Sequence, residues 1–197
     1  IHFDGNGYSD EWKAEAARRG LTNITSVPES ISKMLSDHAK KVLVSGGILT
    51  ERELEARAEV EYEKYVLKEQ IEARVMGEIV INHIVPTALE YQNRLINNVK
   101  GMKDIFGAEA DSLTENEKEL IRKISNHVTV IRRETQQMID ARKAANKIDD
   151  VEQKAIAYHD NVHPHQEVIR YHVDKLELIV DNEMWPLPKY REMLFFR

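Results

Sequence analysis

The sequence predicts an all-α protein: an elongated antiparallel helical bundle of three long helices, one kinked near Pro86, preceded by two shorter helices. Three observations carry this. Apolar residues recur at steps of three and four along most of the chain, the spacing of one helix face. Only 8 glycines and 5 prolines interrupt 197 residues, so sharp turns are few and long helices follow. Thr50 and Thr114 are each followed three residues later by a glutamate, Glu53 and Glu117, the pattern of a capping box at a helix start. No segment gives a strong strand signal, and no convincing internal repeat is visible.

The first residues, Ile1-His2-Phe3-Asp4-Gly5-Asn6-Gly7-Tyr8, carry no initiator Met and no signal segment. They read as a short apolar stem running into a turn, so a longer chain is expected upstream. Ser9 caps a short helix with Asp10 and Glu11 in its first turn, and Gly20 stands where a left-handed residue would end it. Ser26 and Pro28 start a second helix with apolar positions Ile31, Met34, Leu35, Val42 and Leu43, stopped by Gly46-Gly47. Residues 1–49 thus form a connector with two short helices, and residues 50–197 a bundle with a C-terminal docking tail.

From Thr50 a helical pattern runs through Leu54, Ala58, Tyr62, Tyr65, Leu67, Val75, Met76, Ile79, Val80, Ile84, Leu89, Leu95, Ile96 and Val99. A straight helix of about 50 residues would span roughly 75 Å, against a radius of gyration of about 16 Å for a compact chain of this length. Pro86 is the place for a kink or break, because it removes a ladder hydrogen bond and crowds the preceding turn. Gly101–Ser112 reads as loop. The helix launched at Thr114 runs to about Asn146 with the stripe Leu120, Ile124, His127, Ile131, Thr135 and Met138. Asp149 or Asp150 caps the last helix, whose seam is Ala155, Tyr158, Val162, His165, Ile169, His172, Leu176 and Ile179. Helices with such stripes, joined by short polar turns, pack antiparallel.

Composition narrows the function. With 42% hydrophobic and 31% charged residues the chain can build a core. No apolar run approaches the roughly 20 residues of a membrane helix, so no membrane partner is expected and the compartment reads as cytoplasmic. The absence of cysteine removes disulfides, thiolate metal sites and cysteine nucleophiles. A net charge of -6 argues against general nucleic-acid binding. Arg122, Lys123, Arg132, Arg133, Arg142, Lys143 and Lys147 do form a basic stretch, but the helix from Glu51 to Glu72 is oppositely biased, and complementary or solvated helix faces account for both. No nucleic acid is therefore expected.

The residues most open to a chemical reading are histidines. His159 and His163, four apart, would share one helix face and could hold a divalent metal, and His163-Pro164-His165 invites the same thought. No third ligand stands at a diagnostic spacing, so no metal site is assigned. His127, His165 and His172 lie on the apolar stripes, where hydrogen-bonded core or interface roles are expected. Gly5-Asn6-Gly7 lacks the rest of a phosphate loop, and the glutamates of residues 51–72 are spread around a helix rather than paired for acid and base work. No catalytic and no cofactor-binding residue is assigned. At the far end Met184-Trp185-Pro186-Leu187-Pro188-Lys189-Tyr190 breaks the last helix and Glu192-Met193-Leu194-Phe195-Phe196 follows. So much aromatic weight should dock, either on the bundle itself or on a neighbouring domain or subunit.

Both ends carry a family resemblance. Asp4-Gly5-Asn6-Gly7-Tyr8-Ser9-Asp10-Glu11-Trp12, Ala16, Arg19-Gly20-Leu21-Thr22-Asn23 and the closing Trp185-Pro186-Leu187-Pro188-Lys189-Tyr190 with Leu194-Phe195 resemble the C-terminal region of type III glutamine synthetase, the large bacterial form. Thr50-Glu51-Arg52-Glu53-Leu54, Arg57, Tyr62, Tyr65 and Ile71-Glu72-Ala73 extend the likeness. Leu187, Lys189 and the His163-Pro164-His165 cluster depart from the family's pattern. The resemblance implies a parent glutamate–ammonia ligase that uses ATP and Mg or Mn, passes through a γ-glutamyl phosphate and assembles as a ring-shaped dodecamer. The family's metal, ATP and glutamate ligands belong upstream and match no position here, so this segment would serve assembly or stability, with its own catalytic domain and neighbouring subunits as partners. The competing reading is a free-standing helical interaction module using the seam of the last helix.

Overall fold

A computed structural model describes residues 4–195. The expected stem Ile1–Phe3 and the terminal Phe196 of the tail lie outside the described residues. The fold is all-α, with no strand among the described residues. Two compact units divide the chain, Ile1–Tyr65 and Val66–Arg197.

The first unit holds α1 (Asp10–Arg18), α2 (Val27–Met34), α3 (Asp37–Leu43) and the beginning of α4 (Glu51–Ile79). Ser9 caps α1 by accepting from the Trp12 amide at 3.2 Å, and Ser26 caps α2 by accepting from Glu29 at 3.2 Å. The single second helix expected from the sequence is split in two. Ser36 is the cause: its Oγ donates to the Lys33 carbonyl at 2.8 Å, closing α2, and accepts from the Ala39 amide at 3.3 Å, opening α3. Gly46-Gly47 ends α3 as expected, since a Cβ on Gly46 would run into the Val42 carbonyl oxygen and Gly47 sits at φ +69°. The capping box at α4 is complete: Glu53 accepts from the Thr50 amide at 2.8 Å, and Thr50 Oγ1 accepts from the Glu53 amide at 3.2 Å.

The second unit is a three-layered bundle. Its first layer runs from α4 through a π turn, Val80–Ile84, into α5 (Val85–Phe106) without a break. The irregularity foreseen at Pro86 thus takes the form of one widened turn just before the proline. A proline at position 86 cannot donate to the Asn82 carbonyl and crowds it, and wider i→i+5 bonding, Val85 N–H to Val80 O, makes the room. Helix α5 continues through Gly101 to Phe106, where a loop was expected. Only Gly107, at φ +59°, turns the chain, followed by one 3₁₀ turn (Gly107–Glu109) and the short α6 (Ala110–Leu113).

Helix α7 (Glu115–Ala145) is the second layer. The second capping box does not form: Thr114 is buried, and its hydroxyl donates to the Ala110 carbonyl at 2.7 Å, serving the end of α6 instead of the start of α7. Ile124, Val128, Ile131, Thr135, Met138 and Ala145 are buried along α7. The third layer is α8 (Val151–Ala157), capped by Asp150 on the Gln153 amide at 2.8 Å, a second π turn (Tyr158–Val162) and α9 (His163–Ile179). This π turn ends two residues before Pro164, the register already seen before Pro86. In each case the widened turn keeps residues four apart buried together, Val80 with Ile84 and Tyr158 with Val162.

Side-chain pairs fix the directions. Gln92 Nε2 donates to Ile121 O at 2.8 Å and to Ser125 Oγ at 2.6 Å, while Gly77 faces Thr135 and Met138, so α4–α5 and α7 are antiparallel. Tyr158 donates to Asn146 at 2.8 Å and His172 meets His127, so α7 and α9 are antiparallel too. The first and third layers therefore run parallel, with Gln166 reaching Glu69 at 3.4 Å.

A Cβ added to Gly77 would sit 3.6 Å from Met138 Cε and 3.8 Å from Thr135 Cγ2, ordinary contact distances. Gly77→Ala should therefore stabilise the bundle by about 0.5–1 kcal/mol, the usual gain for replacing an interior helical glycine. A shift of the urea midpoint to higher concentration is the expected result, and a lower midpoint would mean that α4 and α7 approach too closely for a methyl group.

Candidate functional site

The histidines flagged in the sequence fall into separate groups between different helices. His159 Nδ1 lies 2.8 Å from Asp160, and its ring stacks on that of His163 with centroids 6.3 Å apart. His163 Nδ1 is buried 3.4 Å from Glu69 Oε2 on α4, close enough for an ionic contact but without hydrogen-bond geometry. His165 Nδ1 is 2.8 Å from Glu134 Oε2 on α7. The His-Pro-His segment therefore straddles the bundle, one imidazole turned to each of the other two layers. Among the described residues no three His, Asp or Glu side chains group as metal ligands, so these positions do not fit the divalent ion that the resemblance implies for the parent enzyme.

Sequence reading missed the carboxylates that receive these histidines. Glu69 and Glu134 are buried at 7% and 8% exposure, and a charge so placed needs a partner to offset its lost hydration. For Glu134 the bond with His165, then the one with Arg133 at 2.7 Å, hold the carboxyl below the usual carboxylate range. Glu134 sits three residues after the buried Ile131, on the apolar stripe. A lone acidic residue at a core position was the available signal.

His127 and His172 face each other with Nδ1 atoms 2.8 Å apart, between α7 and α9. Such a contact needs one N–H and one bare nitrogen, so the pair holds one proton at that junction. Burial pushes both imidazoles below the ordinary histidine range. At His127, His172 and Lys175 add to the effect; at His172, Glu134 opposes it and Arg133 adds. The Tyr171 ring meets His172 edge-on at 5.2 Å.

The tail splits into two parts. Trp185 is buried at 7% exposure, and the buried Lys189 sends Nζ to the Glu177 and Val180 carbonyls at 2.6 and 3.1 Å. Lys189 thereby caps the C-terminus of α9, where the last carbonyls lack intrahelical donors and the helix dipole favours a cation. Its Nζ also stands 5.7 Å from the Trp185 ring centroid. Beyond it the short α10 (Tyr190–Leu194) carries Met193 and Leu194 at 59% and 76% exposure, and Phe195 follows at 74%. Docking on the bundle thus accounts for the first half of the tail, while Leu194 and Phe195 face water.

Between α4 with its π turn and α9 lies an open groove of about 720 Å³, closed at one side by Trp185, Leu187, Pro188 and Met193. Its walls are mainly apolar, among them Ile71, Val75, Met76, Ile79, Ile169 and Val173. The basic stretch of α7 is laced with ion pairs on its own helix: Arg122 to Glu115 at 3.6 Å, Lys123 to Glu119 at 2.6 Å and Lys143 to Asp140 at 3.9 Å. No helix among the described residues is long and apolar enough to cross a membrane.

Comparison with known proteins relates this sequence to a family. The family model described as glutamine synthetase C-terminal domain matches residues 1–103. A glutamine synthetase of Bacteroides fragilis is 50% identical over 196 residues, covering 99% of this chain and 27% of its own length. A type-3 glutamine synthetase of Dictyostelium discoideum is 29% identical, covering 100% and 27%, and a glutamine synthetase of Butyrivibrio fibrisolvens is 25% identical, covering 99% and 27%. The chain spans about a quarter of the length of these curated relatives.

The His127–His172 contact gives the bundle a pH signature. Both folded-state values lie below the ordinary one, so the unfolded chain binds more protons just below pH of about 6.5, and stability falls as pH drops through that window. Glu134, held below the carboxylate range, contributes its loss only at more acid pH. Urea midpoints measured between about pH 7 and 5 should decline in the native chain and decline less when His127→Leu and His172→Leu are combined. Equal slopes would show that the pair is not responsible.

Proposed function

We propose an assembly role for this chain, which belongs to the glutamine synthetase C-terminal domain family: it is the helical, non-catalytic end of a longer glutamate–ammonia ligase. In that protein ATP and Mg or Mn would be held by the catalytic portion, which condenses glutamate with ammonia in the cytoplasm. Residues 1–49 act as the connector to it, and residues 50–197 as the bundle that carries the docking tail. No residue of this chain is assigned a part in the chemistry.

The observation that carries the reading is the divided tail. Lys189 and Trp185 clamp its first half to α9, and this anchor leaves Leu194 and Phe195 exposed. Apolar side chains held in water on an ordered support suit an interface with the catalytic portion or with neighbouring subunits of a homo-oligomer. The match of the family model to residues 1–103 and the quarter-length coverage of the relatives support the place of the chain within a larger enzyme.

Two measurements test this. In the full-length protein, Leu194→Asp combined with Phe195→Asp should lower the assembly mass read by light scattering, with glutamine formation falling in parallel. An unchanged mass would count against an interface at the tail. The 197-residue chain alone, supplied with glutamate, ammonia, ATP and Mg, should form no glutamine, and measurable turnover would overturn the non-catalytic assignment.

A further inference from the structure

The groove between α4 and α9 has a chemistry of its own, independent of which enzyme the bundle serves. On α4, Leu67, Ile71 and Val75 follow one another at steps of four and are 56%, 52% and 47% exposed. At about 1.5 Å per residue they form an apolar rail about 12 Å long. Ile71 and Val75 belong to the groove wall itself, so rail and groove are continuous, with Trp185 as an aromatic floor at its side. An open trough of this kind, bordered by two parallel helices, fits the apolar face of a third helix better than a small enclosed ligand.

Charge selects among helices. The side chains lining the groove include four carboxylates, Glu72, Glu167, Asp174 and Glu177, against one guanidinium, Arg170, which is engaged by Asp174 at 3.5 Å. His163 is the other basic group, drawn to Glu69 at 3.4 Å and to Glu167 at 3.7 Å. An acidic rim around an apolar floor complements Lys or Arg flanks around an apolar stripe and disfavours an acidic helix.

We propose that the α4–α9 groove is a docking site for an amphipathic helix with basic flanks, which lays its apolar face on Ile71, Val75 and Trp185 and its cations on the carboxylate rim. The described part of the chain's own tail walls one side of the site through Trp185, Leu187, Pro188 and Met193, while Leu194 and Phe195 are exposed.

The probe is a pair of synthetic 18-residue helices with the same leucine face, one flanked by lysines and the other by glutamates. Titration into the 197-residue chain, read by calorimetry and by Trp185 fluorescence in a Trp12→Phe background, should show the lysine peptide binding at least tenfold more tightly. Ile71→Asp combined with Val75→Asp separates docking from plain charge attraction. Both positions are about half exposed, and the added negative charge would strengthen non-specific attraction, whereas groove docking predicts at least tenfold weaker binding. Glu72→Gln with Glu167→Gln, which leaves the apolar floor intact, should weaken binding severalfold. Equal affinity of the two peptides, no binding of either, unchanged binding by the aspartate variant, or sedimentation showing a dimer that excludes the lysine peptide would each overturn the proposal.

Discussion

Everything in the bundle answers to the two-sided burial of α7. A helix that is covered on one side needs only an amphipathic stripe, but α7 must satisfy α4 and α5 on one side and α9 on the other. Ile124, Val128, Ile131, Thr135 and Met138 supply that double face. Both covering layers contain a proline in the middle, and both resolve it with a π turn in the same register before that proline. The uninterrupted helix thus serves as the straight edge, and its partners absorb the irregularity. Each π turn keeps a pair of side chains packed where a proline break would have swung them away.

Polar groups inside the bundle do what apolar packing alone cannot. Leucine and isoleucine seams tolerate sliding by a turn, since one apolar side chain substitutes for the next. The buried Gln92 and Glu134, bonded to Ser125 and His165, do not, because any slip strands a desolvated group at a cost of about 1–3 kcal/mol. They set the register of α5 against α7 and of α7 against α9. The His-Pro-His segment occupies a point where all three layers meet, and the buried carboxylates of Glu69 and Glu134 receive it from opposite sides.

Much of this was legible in the chain before its fold was known, and the exceptions share a physical cause. Helix starts with a serine, threonine or aspartate before an exposed first turn read correctly at Ser9, Ser26 and Thr50, and of the two candidates Asp149 and Asp150 the second is the cap, since a local hydrogen bond decides them. Ser36 was passed over because it sits inside an apolar pattern that continues across it, and only its hydroxyl reveals the boundary. Thr114 misled for the converse reason: its capping-box spacing is intact, but burial and the nearby Ala110 carbonyl claimed the hydroxyl. The stretch from Gly101 to Ser112 read as loop through its glycines, whereas only Gly107 adopts a conformation that needs one. The α4–α9 groove was illegible in principle. Its walls come from helices nearly a hundred residues apart, and their shared apolar surface has no expression in local spacing.

The facing imidazoles of His127 and His172 have one more consequence. Whichever ring donates through Nδ1 must leave its own Nε2 bare, and the ring that accepts must carry its hydrogen on Nε2. The pair therefore turns one acceptor and one donor outward, and moving a single proton across the short contact, with matching exchange at the outer nitrogens, reverses which is which. The heavy atoms need not move. Two tautomers of opposite polarity share one packing arrangement, so this junction carries a reversible electric orientation.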